Sequence, residues 1–368
     1  VLMSEPTAPA SSRSAPPVID LSGGANEPRP ETDNRVLIPA FRSAPEKPPG
    51  AQIAQLGGDT MGTVWTARIV VNDAVEAARW QTLIEEELGR IIALFSPWER
   101  NSEISRFNGA PEGTWALSDA FWTVLTRALE LADDTNGAVD PTLGTLVDLW
   151  GFGPPGRRSP LLPLPADDEV EAARANSGWM RLRLNVDARA AVQPGGLKLD
   201  LSGIAKGHAV DRISLRLARE GATSHLFEIG GELKGVGVKP DGRPWWVELE
   251  KPAGLDAPRT IAALYGLAVA TSGEARRQFV HGGQTYSHTI DGRTGRPVTN
   301  GMVSVSVLHD SAMVADALAT ALTVLGPVEG PAHAEAAEIA ALMVHRTDDV
   351  LVEQMSPALL AMLDVGRE

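Results

Sequence analysis

No cysteine occurs anywhere in the chain. That absence excludes disulfides, thiolate metal ligands, a cysteine nucleophile and a lipid-modified cysteine within these residues, and it fits an oxidising compartment. Basic residues are also in deficit, with Lys+Arg at 33 against Asp+Glu at 47 and a net charge of −14. A nucleic-acid binder needs a basic face to displace counterions, so that class is excluded. An anionic small ligand would need locally placed cations, a metal or backbone N–H groups. No apolar run reaches membrane-spanning length, so no transmembrane segment is expected. Residues Val1 to Pro17 show neither a basic n-region nor an apolar h-region, so they are not a signal peptide. The nucleotide-binding patterns Gly-x-x-x-x-Gly-Lys-Ser/Thr and Gly-x-Gly-x-x-Gly are missing as well.

What is present falls into two parts. Residues 1–51 hold 10 of the 27 prolines amid Ser, Ala and Gly, a composition expected of a disordered or extended tether. A leader of this kind suits a chain that starts after a processed signal, so a periplasmic or cell-envelope location is expected, with a cytoplasmic one as the alternative. Residues 52–368 are expected to form one folded domain. The run Thr60–Val71 reads as an early strand, and Trp80, Ile84, Leu88, Ile91 and Phe95 recur at helical spacing. Ser118 caps a second helix that ends at Gly137. In the polar segment that begins at Phe95, Trp98 beside Arg100 and Glu103 reads as a surface loop or as the aromatic wall of a pocket.

Three stretches carry chemistry. Leu197, Leu199 and Leu201 alternate with polar residues as in a short strand, then Gly203 and Gly207 read as a loop that leads into a helix. Such a loop presents free N–H groups and a dipole end to a phosphate, with Lys206 adding a charge; a plain strand-to-helix turn is the alternative. His288 lies in a Tyr-Ser-His-Thr-Ile-Asp-Gly run with a tight turn, the company expected of a titrating group. Ser311 opens an Ala/Leu/Val/Met helix that stops at Gly326-Pro327, and Asp316 and Thr320 lie on one face of it, four apart. A carboxylate in an apolar helix needs a partner or a metal. One carboxylate and one hydroxyl, completed by carbonyl and phosphate oxygens, suit Mg²⁺; a hydrogen-bonded pair is the alternative.

In order along the chain stand Met61-Gly62-Thr63, Ser102-Glu103-Ile104-Ser105-Arg106-Phe107-Asn108, Ala138-Val139-Asp140-Pro141-Thr142 with Leu149-Trp150-Gly151-Phe152-Gly153, and Ser202-Gly203-Ile204-Ala205-Lys206-Gly207 with Asp211. Glu228-Ile229-Gly230-Gly231, Thr271-Ser272-Gly273, Ser287-His288 with Thr294-Gly295, and Ala315-Asp316-Ala317-Leu318-Ala319-Thr320 follow. In this series, from about Met61 to Gly326, the chain resembles the ApbE family of FAD:protein FMN transferases. The resemblance implies an α+β fold: a single ApbE-type, T-fold-like domain with mixed or antiparallel sheets and flanking helices. It implies an enzyme that uses FAD and Mg²⁺ to place FMN on a Ser or Thr hydroxyl of an acceptor protein and releases AMP. It assigns the metal to Asp316, Thr320 and the carbonyl of Ala205. It assigns FAD contacts to Met61, Ala138, Val139, Asp140, Ser202, Lys206, His208 and Ile290, ring stacking to Trp98, and the reacting phosphates to His288. Trp98 stands where tyrosine is usual, His208 where an aromatic is commoner, and Gly292 where proline follows the aspartate. A metal-dependent FAD pyrophosphatase and a non-catalytic FAD-binding protein would need the same pocket.

Overall fold

The computed structural model describes residues 34–39, 47–48, 52–156, 163–273 and 277–364. Most of the expected tether therefore lies outside the described residues, but Arg35–Leu37 corrects its boundary. These residues form a strand, β1, with Leu37 fully buried. A parallel ladder to residues 260–262 satisfies the backbone of β1, so even three residues suffice.

The run read as one strand from Thr60 is the second half of a hairpin. Gln52–Thr60 (β2) pairs in register with Thr63–Val71 (β3). The two residues between them, Met61 and Gly62, have φ of 48° and 74°, the backbone a two-residue turn requires. Ala74–Phe95 (α1) is capped by the Asp73 side chain and buries Trp80, Ile84, Leu88, Ile91 and Phe95, as the spacing predicts. Glu103–Asn108 (α2), Gly113–Ala116 (β4) and Asp119–Asp134 (α3) follow; Ser118 caps α3 as expected, accepting from the Phe121 N–H. Gly144–Leu149 (α4), Asp167–Ala175 (α5), Arg183–Asn185 (β5) and Ala190–Gln193 (β6) complete the first half, with β4, β6 and β5 forming a small sheet.

Ser202–Arg219 (α6) precedes His225–Ile229 (β7), Glu232–Val236 (β8), Trp245–Glu248 (β9), Thr260–Leu264 (β10) and Leu267–Gly273 (β11). Two small hairpin pairs, Gln278–His281 (β12) with Gln284–Ser287 (β13) and Ile290–Asp291 (β14) with Arg296–Pro297 (β15), lead to Met302–His309 (β16). Ala312–Ala336 (α7), Ala340–Thr347 (β17), Val350–Met355 (β18) and Pro357–Leu360 (α8) close the described chain.

Eight strands build the main sheet in the order β18-β17-β16-β11-β8-β7-β3-β2, every neighbouring pair antiparallel. Their period of two sends alternate residues to two cores. One face, with Ala67, Ile69, Phe227, Ala270, Val305 and Val307, packs against Ile204 and Ile213 of α6 and Ala315 and Leu322 of α7. The other face, with Val70, Leu226, Val269 and Leu308, meets Trp245, Ala262 and Leu264 of the β1-β10-β9 sheet. Each fully buried large side chain of this kind contributes about 2–3 kcal/mol of transfer free energy.

α7 is capped by Ser311 and is broken at Gly326, where φ is 77° and ψ −171°. The expected stop is thus real, and Pro327 starts a second helical segment beyond it. By length and hydropathy α7 is the one helix among the described residues able to cross a membrane, but 67% of its apolar window is buried in the fold.

Candidate functional site

The seam between α6 and α7 is the densest meeting of the motifs. Apart from an isolated parallel bridge between Lys198 and Leu143, the segment Leu197–Leu201 is not a ladder strand. Asn108 accepts from Leu199 N at 2.7 Å and donates to Leu199 O at 2.9 Å, while the buried Gln193 side chain does the same for Leu197. Side chains from α2 and β6 thus satisfy the backbone of Leu197 and Leu199, while Lys198 O and Asp200 N pair with the backbone of Gly144 and Pro141. Gly203 and Gly207 are likewise not a loop but the first two turns of α6. A Cβ on Gly207 would stand 2.2 Å from the Ala312 carbonyl oxygen, and one on Gly203 3.2 Å from Thr320 Oγ1. Their glycine character lets two helices touch along their backbones. That contact delivers Asp316, 6% exposed, so that its Oδ2 accepts from the Gly207 N–H at 3.0 Å. Thr320 Oγ1 donates back to the Asp316 carbonyl at 3.2 Å, and Ala205 is buried between the two glycines.

Asp211 sets the register of this seam. Its Oδ2 accepts from Ser311 Oγ at 2.6 Å and from Met313 N at 3.0 Å, and Lys234 Nζ pairs with Oδ1 at 2.7 Å. Although burial opposes it, the Lys234 charge and these donors hold the Asp211 carboxyl below the usual range. The α7 N-terminus is thereby pinned to α6 one turn before Asp316.

Lys206 does not project into open space. Its ammonium pairs at 2.6 Å with Glu232, which is 1% exposed and follows the Gly230-Gly231 turn. Ser202 is exposed, and its N–H donates to Asp200 at 2.8 Å. His208 is placed inward, 6% exposed and edge-on to Phe95. Burial and, secondarily, the Arg212 charge lower its pKa to about 4, so the ring is neutral at pH 7.

A second group of motifs packs against α7. Ala138 is buried with Ala321 and Val324, and Val139 packs on the same cluster as Leu325 and Val298. The Asp140 carboxylate faces its own loop: Oδ1 accepts from Thr142 N at 2.8 Å and Thr142 Oγ1 at 2.6 Å, and Oδ2 from Trp179 N at 3.1 Å. Burial raises its pKa against these hydrogen bonds. Leu143 continues the segment into a cluster with Leu146, Trp150, Phe152 and Ile290. Gly292 fits here because a Cβ would lie 3.0 Å from Leu143 Cδ2. Trp150 Nε1 donates to Gly295 O at 2.9 Å, which ties the Trp-Gly-Phe-Gly motif to the turn after His288.

His288 stands beside this cluster, its ring edge-on to Phe152 with centroids 6.3 Å apart. Its Nδ1 lies 3.1 Å from the Arg277 carbonyl oxygen. A carbonyl only accepts, so Nδ1 carries the proton and Nε2 the lone pair in the neutral ring. Trp98 is 54% exposed, and its charged neighbour is Arg277, 5.8 Å from the ring centroid. Glu103 accepts from Ser118 N and Oγ and so braces the residue that caps α3. Met61 sits at the β2–β3 turn, half-buried against the main core.

Arg277, Glu232 and Gln193 stand outside the motifs read from the sequence, and Asn108 closes one of them without a role of its own. Asn108 and Gln193 look like ordinary polar positions until their backbone partners are known, and Glu232 continues the Gly-Gly motif by one residue. Among the described residues no three His, Asp or Glu side chains gather as a metal site. The oxygen donors of Asp316 and Thr320 nevertheless fit a hard cation in kind, provided that non-protein oxygens complete its shell.

An all-antiparallel main sheet with a glycine-mediated helix seam on one face defines an α+β protein. It superposes on the apo form of Pseudomonas stutzeri flavinyl transferase ApbE with a TM-score of 0.77 at 35% identity, covering 85% of this chain and 98% of that one. Flavin transferase ApbE from Vibrio cholerae gives 0.75 at 37%, covering 84% and 98%. The family model described as "ApbE family" matches residues 61–343, and the chain belongs to that family. Relatives named FAD:protein FMN transferase include one from Vibrio cholerae, 39% identical over 315 residues (84% of this chain, 92% of the relative). Another, from Escherichia coli, is 33% identical over 318 residues (85% and 90%).

Proposed function

We propose that this protein transfers the FMN portion of FAD to a Ser or Thr hydroxyl of an acceptor protein, with Mg²⁺, releasing AMP. The observation that carries the reading is the seam: a buried Asp316 carboxylate on the Gly207 amide, with Thr320 against Gly203, in a chain of the ApbE family. Asp316, Thr320 and Ala205 would hold the Mg²⁺, which supplies charge neutralisation to the phosphate oxygens.

The chain's own groups account for the rest. Trp98 offers a half-open ring face for the isoalloxazine, and Ala138 packs with Ala321 and Val324 of α7. The acceptor oxygen bonds to the FMN phosphorus as the phosphorus–oxygen bond to AMP breaks. The hydroxyl proton passes to Nε2 of His288, whose Nδ1–H is held by the Arg277 carbonyl. Lys206 supports the site by balancing Glu232 beneath the α6 N-terminus rather than as a free cation. An envelope location belongs to this reading, supported by the cysteine-free composition and the proline-rich leader.

The test incubates the protein with FAD, Mg²⁺ and a candidate acceptor. Covalent flavin on the acceptor with stoichiometric AMP is the expected result. Free FMN with AMP instead identifies a pyrophosphatase, and unchanged FAD a binding protein; either outcome overturns the transferase reading.

A further inference from the structure

Arg277 stands just before β12, outside every motif described above, yet three contacts from distant parts of the chain converge on it. Its guanidinium carbon lies over the Trp98 ring. Its Nη2 donates to the Phe152 carbonyl at 3.0 Å. Its own carbonyl accepts both the backbone N–H of His288 at 3.0 Å and the Nδ1–H of the same residue at 3.1 Å. Phe152 in turn lies edge-on to His288. One residue therefore joins the ring wall, the Trp-Gly-Phe-Gly turn and the histidine.

Arg277 is exposed, so no apolar burial fixes its backbone. What locates its carbonyl is the ladder beginning at Gln278 on one side and its own side chain on the other. A planar guanidinium suits that task, because one flat group stacks on an indole and donates in its plane to a carbonyl. We propose that Arg277 is a positioning residue: its side chain, held between Trp98 and Phe152, aims its carbonyl at His288 Nδ1 and so keeps the basic lone pair on Nε2. The inference rests on the reading of His288 as the proton acceptor.

Arg277→Met removes the charge and the in-plane donors but keeps the length, and Arg277→Lys restores a cation and N–H donors without the planar fork. In the methionine variant kcat for FMN transfer should fall roughly tenfold to a hundredfold, the order expected of a misaligned reacting group. KM for FAD should change less than about threefold, because the stacking face of Trp98 is retained. The lysine variant should recover part of the loss. Nitrogen-15 NMR of His288 reads the tautomer without any turnover: the parent should show a protonated Nδ1, and the methionine variant a mixture. An unchanged tautomer in the methionine variant overturns the proposal, as does a loss that falls on FAD affinity alone. A parent that transfers no flavin defeats the reading of function, while the NMR comparison still decides what Arg277 does to His288.

Discussion

Asp316 is the side chain at which folding and the proposed chemistry pull in opposite directions. It is 6% exposed on an apolar helix, where a carboxylate is costly to desolvate, and its Oδ2 accepts from the Gly207 N–H. Asn at this position keeps an acceptor for the Gly207 N–H. Asp316→Asn should therefore melt no lower than the parent in metal-free buffer, while Mg²⁺-dependent transfer should be almost abolished; calorimetry beside a transfer assay measures both. A clear loss of stability with most activity kept would make the residue structural. His288 gives the complementary case. His288→Ala should lower transfer by roughly 10²–10⁴-fold with FAD binding retained. Rates and flavin-binding titrations check this, and equal loss of binding would reduce the residue to a ligand contact. Both residues were conspicuous in the sequence, one as a charge in an apolar helix, the other by its neighbours. Their partners were not, because Gly207 and Arg277 reach them from over a hundred residues and eleven residues away respectively.

At the scale of elements, the glycines of α6 decide the site. From the sequence they read as a turn, phosphate-binding or plain, because Gly so often breaks helices. Inside α6 their missing Cβ serves the approach of α7 instead. The two positions should respond differently to alanine. Helix propensity favours Ala by about 1 kcal/mol at either site. At Gly207 the new methyl meets a backbone carbonyl at 2.2 Å, which moves only if the helix moves, so a net loss of about 1–3 kcal/mol is expected. At Gly203 it meets the end of the Thr320 side chain at 3.2 Å, and stability should stay within about 1 kcal/mol of the parent. Denaturant melts of the two variants check the contrast, and equal behaviour would mean that the seam is looser than its geometry implies.

At the scale of the whole molecule, β1 is tied to the last described residues. Leu37 in β1 is fully buried and bridges to Leu363, and Ile38 N and Asp364 N donate across the same junction to Met362 O and Val36 O. Leu37→Ala should cost about 2–4 kcal/mol, far more than a tether residue could. A melt within a few tenths of the parent would restore the tether reading for this segment. Acid should also loosen the fold. Burial lowers the pKa of both His208 and His225 to about 4, so the folded state binds fewer protons than the unfolded state below pH 6.5. Stability is therefore complete above pH 6.5 and is lost as pH falls towards 4, on the order of 3 kcal/mol for each ring. The raised carboxyl of Asp140 acts in the opposite sense, gaining as pH falls. Urea melts from pH 7 to 4 measure the balance, and a flat profile would contradict the burial of the two rings.

Local pattern was enough for the elements whose cause is local. Apolar spacing marked α1, and Ser118 and Ser311 announced their caps because a side chain satisfies an N–H only three residues away. The Gly326-Pro327 break was legible for the same reason, and the ordered motifs were enough for the family. Contacts across the chain were decided elsewhere. Whether Leu197–Leu201 pairs as a strand depends on Asn108 and Gln193, and whether Gly207 loops or packs depends on Ala312. Lys206 looks free until Glu232 is folded beneath it, and the expected tether hides three residues of sheet because their partner lies at 260–262. Backbone and charge must be satisfied somewhere, and only the tertiary structure says by which residue.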